Sequence, residues 1–75
     1  MVFVESRNII GKTVKHFRQK KGVTQKDLAA RLNIQGINID QPMITKIENQ
    51  SRELLDYEIK GISIALGVPI EELFK

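Results

Sequence analysis

The chain has no cysteine, no tryptophan, and only two prolines and one tyrosine among its 75 residues. Without cysteine, neither a disulfide framework nor a cysteine-ligated zinc finger can hold the fold together. Apolar runs extend over only a few residues, too short for a membrane span. The opening residues, MVFVESRN, lack the basic start and the long apolar centre of a signal peptide. We therefore expect a cytoplasmic domain with no membrane association.

The composition that remains is typical of an ordinary folded domain. Hydrophobic residues make up 41% and charged residues 28% of the chain, which argues against disorder. Seventy-five residues allow one modest core, so we expect a single domain over residues 1–75. The sole histidine, His16, has no nucleophile or metal-ligand spacing beside it. We expect neither an enzyme nor a cofactor, metal ion or small-molecule ligand.

Charge is distributed unevenly along the chain. Residues 1–37 carry eight Lys or Arg against two acidic residues, a balance of +6. Residues 38–75 carry four against seven, a balance of −3. A basic half joined to an acidic half indicates one face drawn to a polyanion and another turned away. A set of solvated helix faces would produce the same distribution.

Apolar residues at helical spacing predict a succession of helices. Ile10, Val14 and Phe17 form one stripe of a helix over residues 8–21, which a glycine at position 22 ends. Thr24 is a candidate N-cap that can exchange hydrogen bonds with the residue three positions on. It opens a second helix, for which Gly36 is the predicted end.

The same pattern of cap and apolar stripe recurs in the second half. Asp40 is a candidate N-cap for a third helix over residues 41–49. Asp56 is expected to cap a fourth helix that ends at Gly67, followed by a turn or two over residues 70–74. Gly61 lies inside this fourth helix and weakens it by about 1 kcal/mol relative to alanine, which indicates close packing against a neighbour.

Two short, capped helices in succession favour a helix-turn-helix core over residues 24–49. The predicted third helix carries polar and small groups on its outer face. They are Gln41 at the leading end, then Pro42, Thr45, Lys46 and Asn49 at helical spacing. Amides, hydroxyls and lysine can address base edges in a DNA major groove. A plain solvated helix face would carry the same residues, so the pattern alone leaves both interpretations open.

Several strings of the sequence resemble the XRE family of phage Cro and lambda-type repressors. They are VTQKDLA at residues 23–29 and ITKIEN at 44–49, with FRQKKG at 17–22 and ALGV at 65–68. The resemblance extends over residues 9–74, in the order of the family. It implies an all-α fold, a compact five-helix bundle of the lambda-repressor-like DNA-binding type, with residues 1–7 as an N-terminal arm.

The resemblance also implies which residues face the bases of DNA. Gln41, Pro42, Thr45 and Lys46 occupy those positions. A glutamine suits adenine and a lysine suits guanine, whereas a proline offers only apolar contact, for instance with a thymine methyl group.

Other positions match backbone-contacting and structural residues of the family. Gln25 resembles a glutamine that holds a DNA phosphate, and Asn49 and Arg52 lie where the family approaches the DNA backbone. For Arg52 a solvated loop charge remains an equal interpretation. Arg18 and Glu48 match a pair that forms a salt bridge between the first and third helices.

The resemblance implies a sequence-specific, double-stranded DNA-binding transcriptional regulator, a repressor that binds an inverted repeat as a homodimer. The alternative is a protein-interaction or antitoxin-like module with the same helical fold.

One segment departs from the family pattern. The turn between the second and third helices, residues 34–38, is longer than usual. Its isoleucines, with Ile39, predict that it is partly packed against the core. Asn38 is either a phosphate contact or part of a surface bulge. The apolar residues 2–4 either fold back onto the core or pair with a second copy.

Overall fold

The structure is a computed structural model that describes residues 6–75, and these form four α-helices and a short 3-10 helix. The elements are α1 (Gly11–Lys20), α2 (Gln25–Ile34), α3 (Gln41–Glu48), α4 (Asp56–Leu66) and the 3-10 helix Ile70–Phe74. Residues 6–75 contain no β-strand. None of their helices has the length and hydrophobicity that a membrane span requires. The predicted all-α bundle is confirmed, with a 3-10 helix as its fifth member; the expectations for residues 2–4 lie outside the described residues.

All five elements contribute to one hydrophobic core. α1 packs against α3, α4 and the 3-10 helix, and α2 packs against α3 and α4. The largest fully buried side chains are Ile10, Val14, Leu28, Leu32, Ile39, Ile44, Ile47, Ile62, Leu66 and Leu73. Burying each of them contributes about 1.5–3 kcal/mol. Because α3 is held by both α1 and α2, its position depends on the whole bundle.

Side-chain caps define where α2 and α3 begin. The Thr24 hydroxyl accepts from the Asp27 N–H at 3.0 Å, and the Asp27 carboxylate accepts from the Thr24 N–H at 3.2 Å. Hydrogen bonds to the Asp27 carboxylate from the Thr24 backbone N–H and from the Thr24 side chain lower the pKa of Asp27. The Asp40 carboxylate accepts from the Met43 N–H at 2.9 Å. Both predicted caps are confirmed, and each is worth about 1 kcal/mol.

Two helix starts differ from the prediction. α1 begins at Gly11 rather than at residue 8, because the Asn8 side chain accepts from the Gly11 N–H at 2.7 Å. Asp56 is the first residue of α4 and not its cap. The cap position is Leu55, whose N–H donates to the Glu58 carboxylate at 2.9 Å. Glu58, at the third helical position, therefore accepts from the N–H of the cap residue, and the predicted Asp56 cap is wrong.

Of the three isoleucines expected to pack against the core, Ile37 and Ile39 lie in the long turn between α2 and α3, and Ile34 is the last residue of α2. Ile37 and Ile39 are 8% and 1% exposed, whereas Ile34 is 86% exposed, so the expectation was wrong for Ile34. The Asn33 side-chain amide donates to the carbonyls of Ile37 and Ile39 at 2.9 and 3.0 Å. Asn38 is exposed. Hydrogen bonds from Asn33 thus hold the turn closed and set the direction in which α3 starts.

Gly61 is the point where this turn contacts α4. A Cβ atom there would overlap Ile37 Cδ1 and would lie 3.3 Å from both Gln35 Oε1 and Leu32 Cδ2. The Gln35 amide also donates to the Gly61 carbonyl at 2.9 Å. The predicted close packing at Gly61 is confirmed, and its neighbour is the end of α2 and the turn that follows.

Gly61→Ala is expected to lower the free energy of unfolding by about 1 kcal/mol. Overpacking costs about 1–3 kcal/mol, which exceeds the gain of about 1 kcal/mol in helix propensity. Urea denaturation followed by circular dichroism measures the change, with the exposed Lys60→Ala as a control on the same helix. Ile37→Val removes the overlapping methyl group, so Gly61→Ala should cost less in that background. An equal cost in both backgrounds would contradict the packing argument.

Candidate nucleic-acid interface

The outer face of α3 brings the predicted base-facing residues together. Ile44 and Ile47 on its inner face are completely buried. The exposed face carries Gln41, Pro42, Thr45, Lys46 and Asn49. Pro42 is tolerated because the first N–H groups of a helix have no intrahelical acceptor. The structure therefore presents amide, hydroxyl, ammonium and apolar groups along one side of a two-turn helix.

The start of α2 lies directly beside this face. The Gln25 side-chain oxygen accepts from the Thr45 hydroxyl at 3.1 Å, and the Gln25 amide donates to Glu48 Oε1 at 3.1 Å. The backbone N–H groups of Gln25 and Lys26 begin the helix and have no intrahelical acceptor. Together with the helix dipole, they form a positive end that suits an anion such as phosphate.

Arg18 and Glu48 form a buried ion pair between α1 and α3. Arg18 Nε donates to Glu48 Oε2 at 2.6 Å, and Nη2 donates to Oε1 at 3.0 Å. The remaining Nη1 donates to the Val23 carbonyl at 2.9 Å. The two side chains are only 10% and 4% exposed. This bidentate geometry fixes the relative placement of three segments: α1, the turn before α2, and the end of α3.

A second connection between α1 and α3, which sequence reasoning missed, is made by Asn8 and Gly11. The Asn8 amide donates to the carbonyls of Ile47 and Arg52 at 3.1 and 2.8 Å. A Cβ at position 11 would overlap the Ile47 carbonyl oxygen, a backbone atom that cannot move aside. The one signal in the sequence was an asparagine three residues before a helix start.

Asn49 and Arg52, the two residues predicted to contact the DNA backbone beyond α3, have different surroundings in the structure. Asn49 ends α3, and its side-chain oxygen accepts from the Ser51 N–H at 3.1 Å and from the Ser51 hydroxyl at 2.5 Å. Arg52 Nη1 and Nη2 donate to the two carboxylate oxygens of Glu58 at 3.0 and 3.1 Å. Asn49 thus continues the exposed α3 face, whereas the Arg52 guanidinium is engaged on α4.

The Arg52–Glu58 pair shifts the pKa of both partners. Burial raises the pKa of Glu58, but the hydrogen bonds from Arg52 and from the Leu55 N–H, with the charge of Arg52, hold it below its ordinary value. The hydrogen bond to Glu58 raises the pKa of Arg52. Both groups therefore stay charged at neutral pH and tie the loop after α3 to α4.

Arg18→Ala is expected to destabilise the fold by about 3–5 kcal/mol, because it leaves the buried Glu48 carboxylate without its partner. Chemical denaturation measures this loss. The double change Arg18→Leu with Glu48→Leu removes both charges and should recover much of the stability. An Arg18→Ala variant with unchanged stability would contradict a structural role for the pair.

Arg52→Gln is expected to cost roughly 2 kcal/mol at neutral pH, the worth of charge-assisted hydrogen bonds. Because the pKa of Glu58 is lowered in the folded state, its contribution is fully present above the ordinary pKa of 4.5 and is lost as pH falls through the folded pKa. The stability difference between wild type and variant should therefore shrink as the pH falls below the ordinary glutamate pKa and through the lower pKa of folded Glu58. Denaturation curves from pH 3 to 7 would measure it, and a difference independent of pH would contradict the assignment.

Two successive short helices joined by a turn, the second with an exposed polar face, are the arrangement of helix-turn-helix DNA-binding domains. A family model described as "Helix-turn-helix" matches residues 14–73, most of the chain. The chain belongs to this helix-turn-helix family, of the XRE type.

Among solved structures, the chain is similar to the crystal structure of the clp gene regulator ClgR from C. glutamicum. The TM-score is 0.79 at 21% sequence identity, over 95% of this chain and 86% of that chain. At this identity the likeness concerns the fold. No curated protein sequence matches the chain significantly.

Proposed function

We propose that this domain is a sequence-specific, double-stranded DNA-binding transcriptional regulator that represses by occupying a promoter. The observation that carries the proposal is the exposed α3 face, which lies beside the start of α2 and is held there by Arg18 and Glu48. A fold shared with ClgR, a clp gene regulator, supports the regulatory role.

Sequence specificity comes from four residues of α3 in this proposal. Gln41, at the leading end, is suited to bidentate hydrogen bonds with adenine, and Lys46 to the acceptors of guanine. Pro42 supplies apolar contact. The Thr45 hydroxyl, which already donates to Gln25, keeps its lone pairs available to a base donor.

Contacts with the DNA backbone set the register. The Gln25 side chain and the first N–H groups of α2 bind one phosphate, and the Asn49 amide approaches a second. Arg52 contributes a further backbone contact near the C-terminal end of α3. Its ion pair with Glu58 limits how far its guanidinium extends toward DNA. We further propose that two copies bind an inverted repeat with half-sites one helical turn apart, about 34 Å.

Selection of bound sequences from random duplex DNA tests specificity directly. We expect a shared motif with two inverted half-sites. Gln41→Ala should relax preference at one position by about 1–3 kcal/mol, whereas Gln25→Ala should weaken binding to all sequences alike. Lys60→Ala, on the exposed face of α4, is the matched control and should change neither. Recovered sequences without a shared motif, or identical behaviour of the two glutamine variants, would overturn the assignment.

A further inference from the structure

A second surface, formed by α1 and the C-terminal segment, has no part in the proposed DNA interface. Two adjoining depressions meet there at Phe17 and Glu72. The base of the combined depression includes Phe17, Val68 and Pro69. Four lysines border it: Lys12, Lys20, Lys21 and Lys75. We call this surface the α1 groove.

The α1 groove lies on a different side of α1 from the contacts with α3. Gly11 and Arg18 mark the side that meets α3, through Ile47 and Glu48. At 100° per residue, Phe17 and Lys20 project from another side of the helix. DNA docked on α3 therefore does not cover this groove.

The charges around the groove are unbalanced. Four lysines border the groove, whereas Glu72 is the one carboxylate that lines it. Glu72 Oε2 is already paired with Lys75 Nζ at 2.6 Å. The helix dipole accounts for Lys20 and Lys21 at the C-terminal end of α1. It disfavours Lys12, which lies in the first turn of α1, where there is no acidic residue. Helix stability alone therefore does not explain the basic border.

The floor of the groove is apolar and incompletely covered. Phe17 and Val68 pack against the core but remain partly exposed, and the His16 ring meets the Phe17 ring edge-on at 5.3 Å. A DNA backbone would satisfy the lysines but would leave these apolar side chains without a complementary group. A peptide with carboxylates and one or two apolar side chains complements both the border and the floor.

We propose that the α1 groove is a docking site for an acidic peptide segment of a partner protein, with an apolar or aromatic side chain placed against Phe17 and Val68. Its carboxylates pair with Lys12, Lys20 and Lys21. The site is independent of the DNA-facing side, so a partner can bind while α3 occupies DNA.

Fluorescence anisotropy with a labelled synthetic peptide tests this proposal on the full chain. The probe alternates Asp and Glu around one Phe and one Leu; one control peptide has Asn and Gln in place of the acids, and another has Ser in place of Phe and Leu. Only the first peptide should bind well. Lys20→Glu should weaken its binding roughly tenfold, while Lys60→Glu, with the same change in net charge, should leave it nearly unchanged.

Amide chemical shifts then locate the binding, with the largest changes expected at Phe17, Lys20 and Val68. Absence of binding, equal effects of Lys20→Glu and Lys60→Glu, or equal binding of the Ser-substituted peptide would overturn the proposal. The proposal would also be overturned if Lys20→Glu weakened DNA binding and not peptide binding. That result would assign the lysines to DNA. Groove shifts that depend on protein concentration without peptide, or contacts from residues 2–4 in the free chain, would assign the groove to a second copy or to the chain itself.

Discussion

The buried ion pair between Arg18 and Glu48 is the constraint on which the placement of α3 depends. A buried carboxylate on the inner edge of α3 is stable only when a cation pairs with it and further groups donate hydrogen bonds to it. Without them, an unpaired buried charge costs several kcal/mol. Glu48 meets that condition with two hydrogen bonds from Arg18 and one from Gln25. Since Arg18 lies on α1 and Gln25 on α2, displacing α3 would break hydrogen bonds to both neighbouring helices at once.

This constraint is needed because α3 has only eight residues. Isolated helices of that length are unstable in water, so α3 exists because the bundle supports it. Its start is held by the Asp40 cap and by the turn that Asn33 closes, and its end by Asn8. Support at both ends of a short helix orients its outer side chains more closely than a flexible attachment would, and that orientation is what recognition of bases requires.

The α1 groove is on another side of the same helix that carries Arg18. One rigid element thus separates two surfaces of different chemistry. The α3 face offers amides, a hydroxyl and a lysine above a buried apolar side, whereas the groove combines lysines with exposed apolar surface. In the proposed arrangement, DNA and an acidic segment would contact different residues, although both are attracted by positive charge.

Local features of this protein could be predicted from its sequence, because they depend on residues three or four positions apart. The Thr24–Asp27 and Asp40 caps and the apolar stripes are of this kind, and the XRE resemblance extended them to the all-α bundle and to the residues proposed to face DNA. Apart from the Arg18–Glu48 pair, which the resemblance implied, tertiary structure alone decided the contacts between distant segments. The Asn8 amide donates to the carbonyl of Arg52, which is 44 residues away, and the Arg52 guanidinium donates to Glu58. Ile34 is exposed to solvent, whereas Ile37 and Ile39 are buried. No periodicity or spacing encodes such contacts, since they arise only when the packed helices bring backbone carbonyls and side chains together.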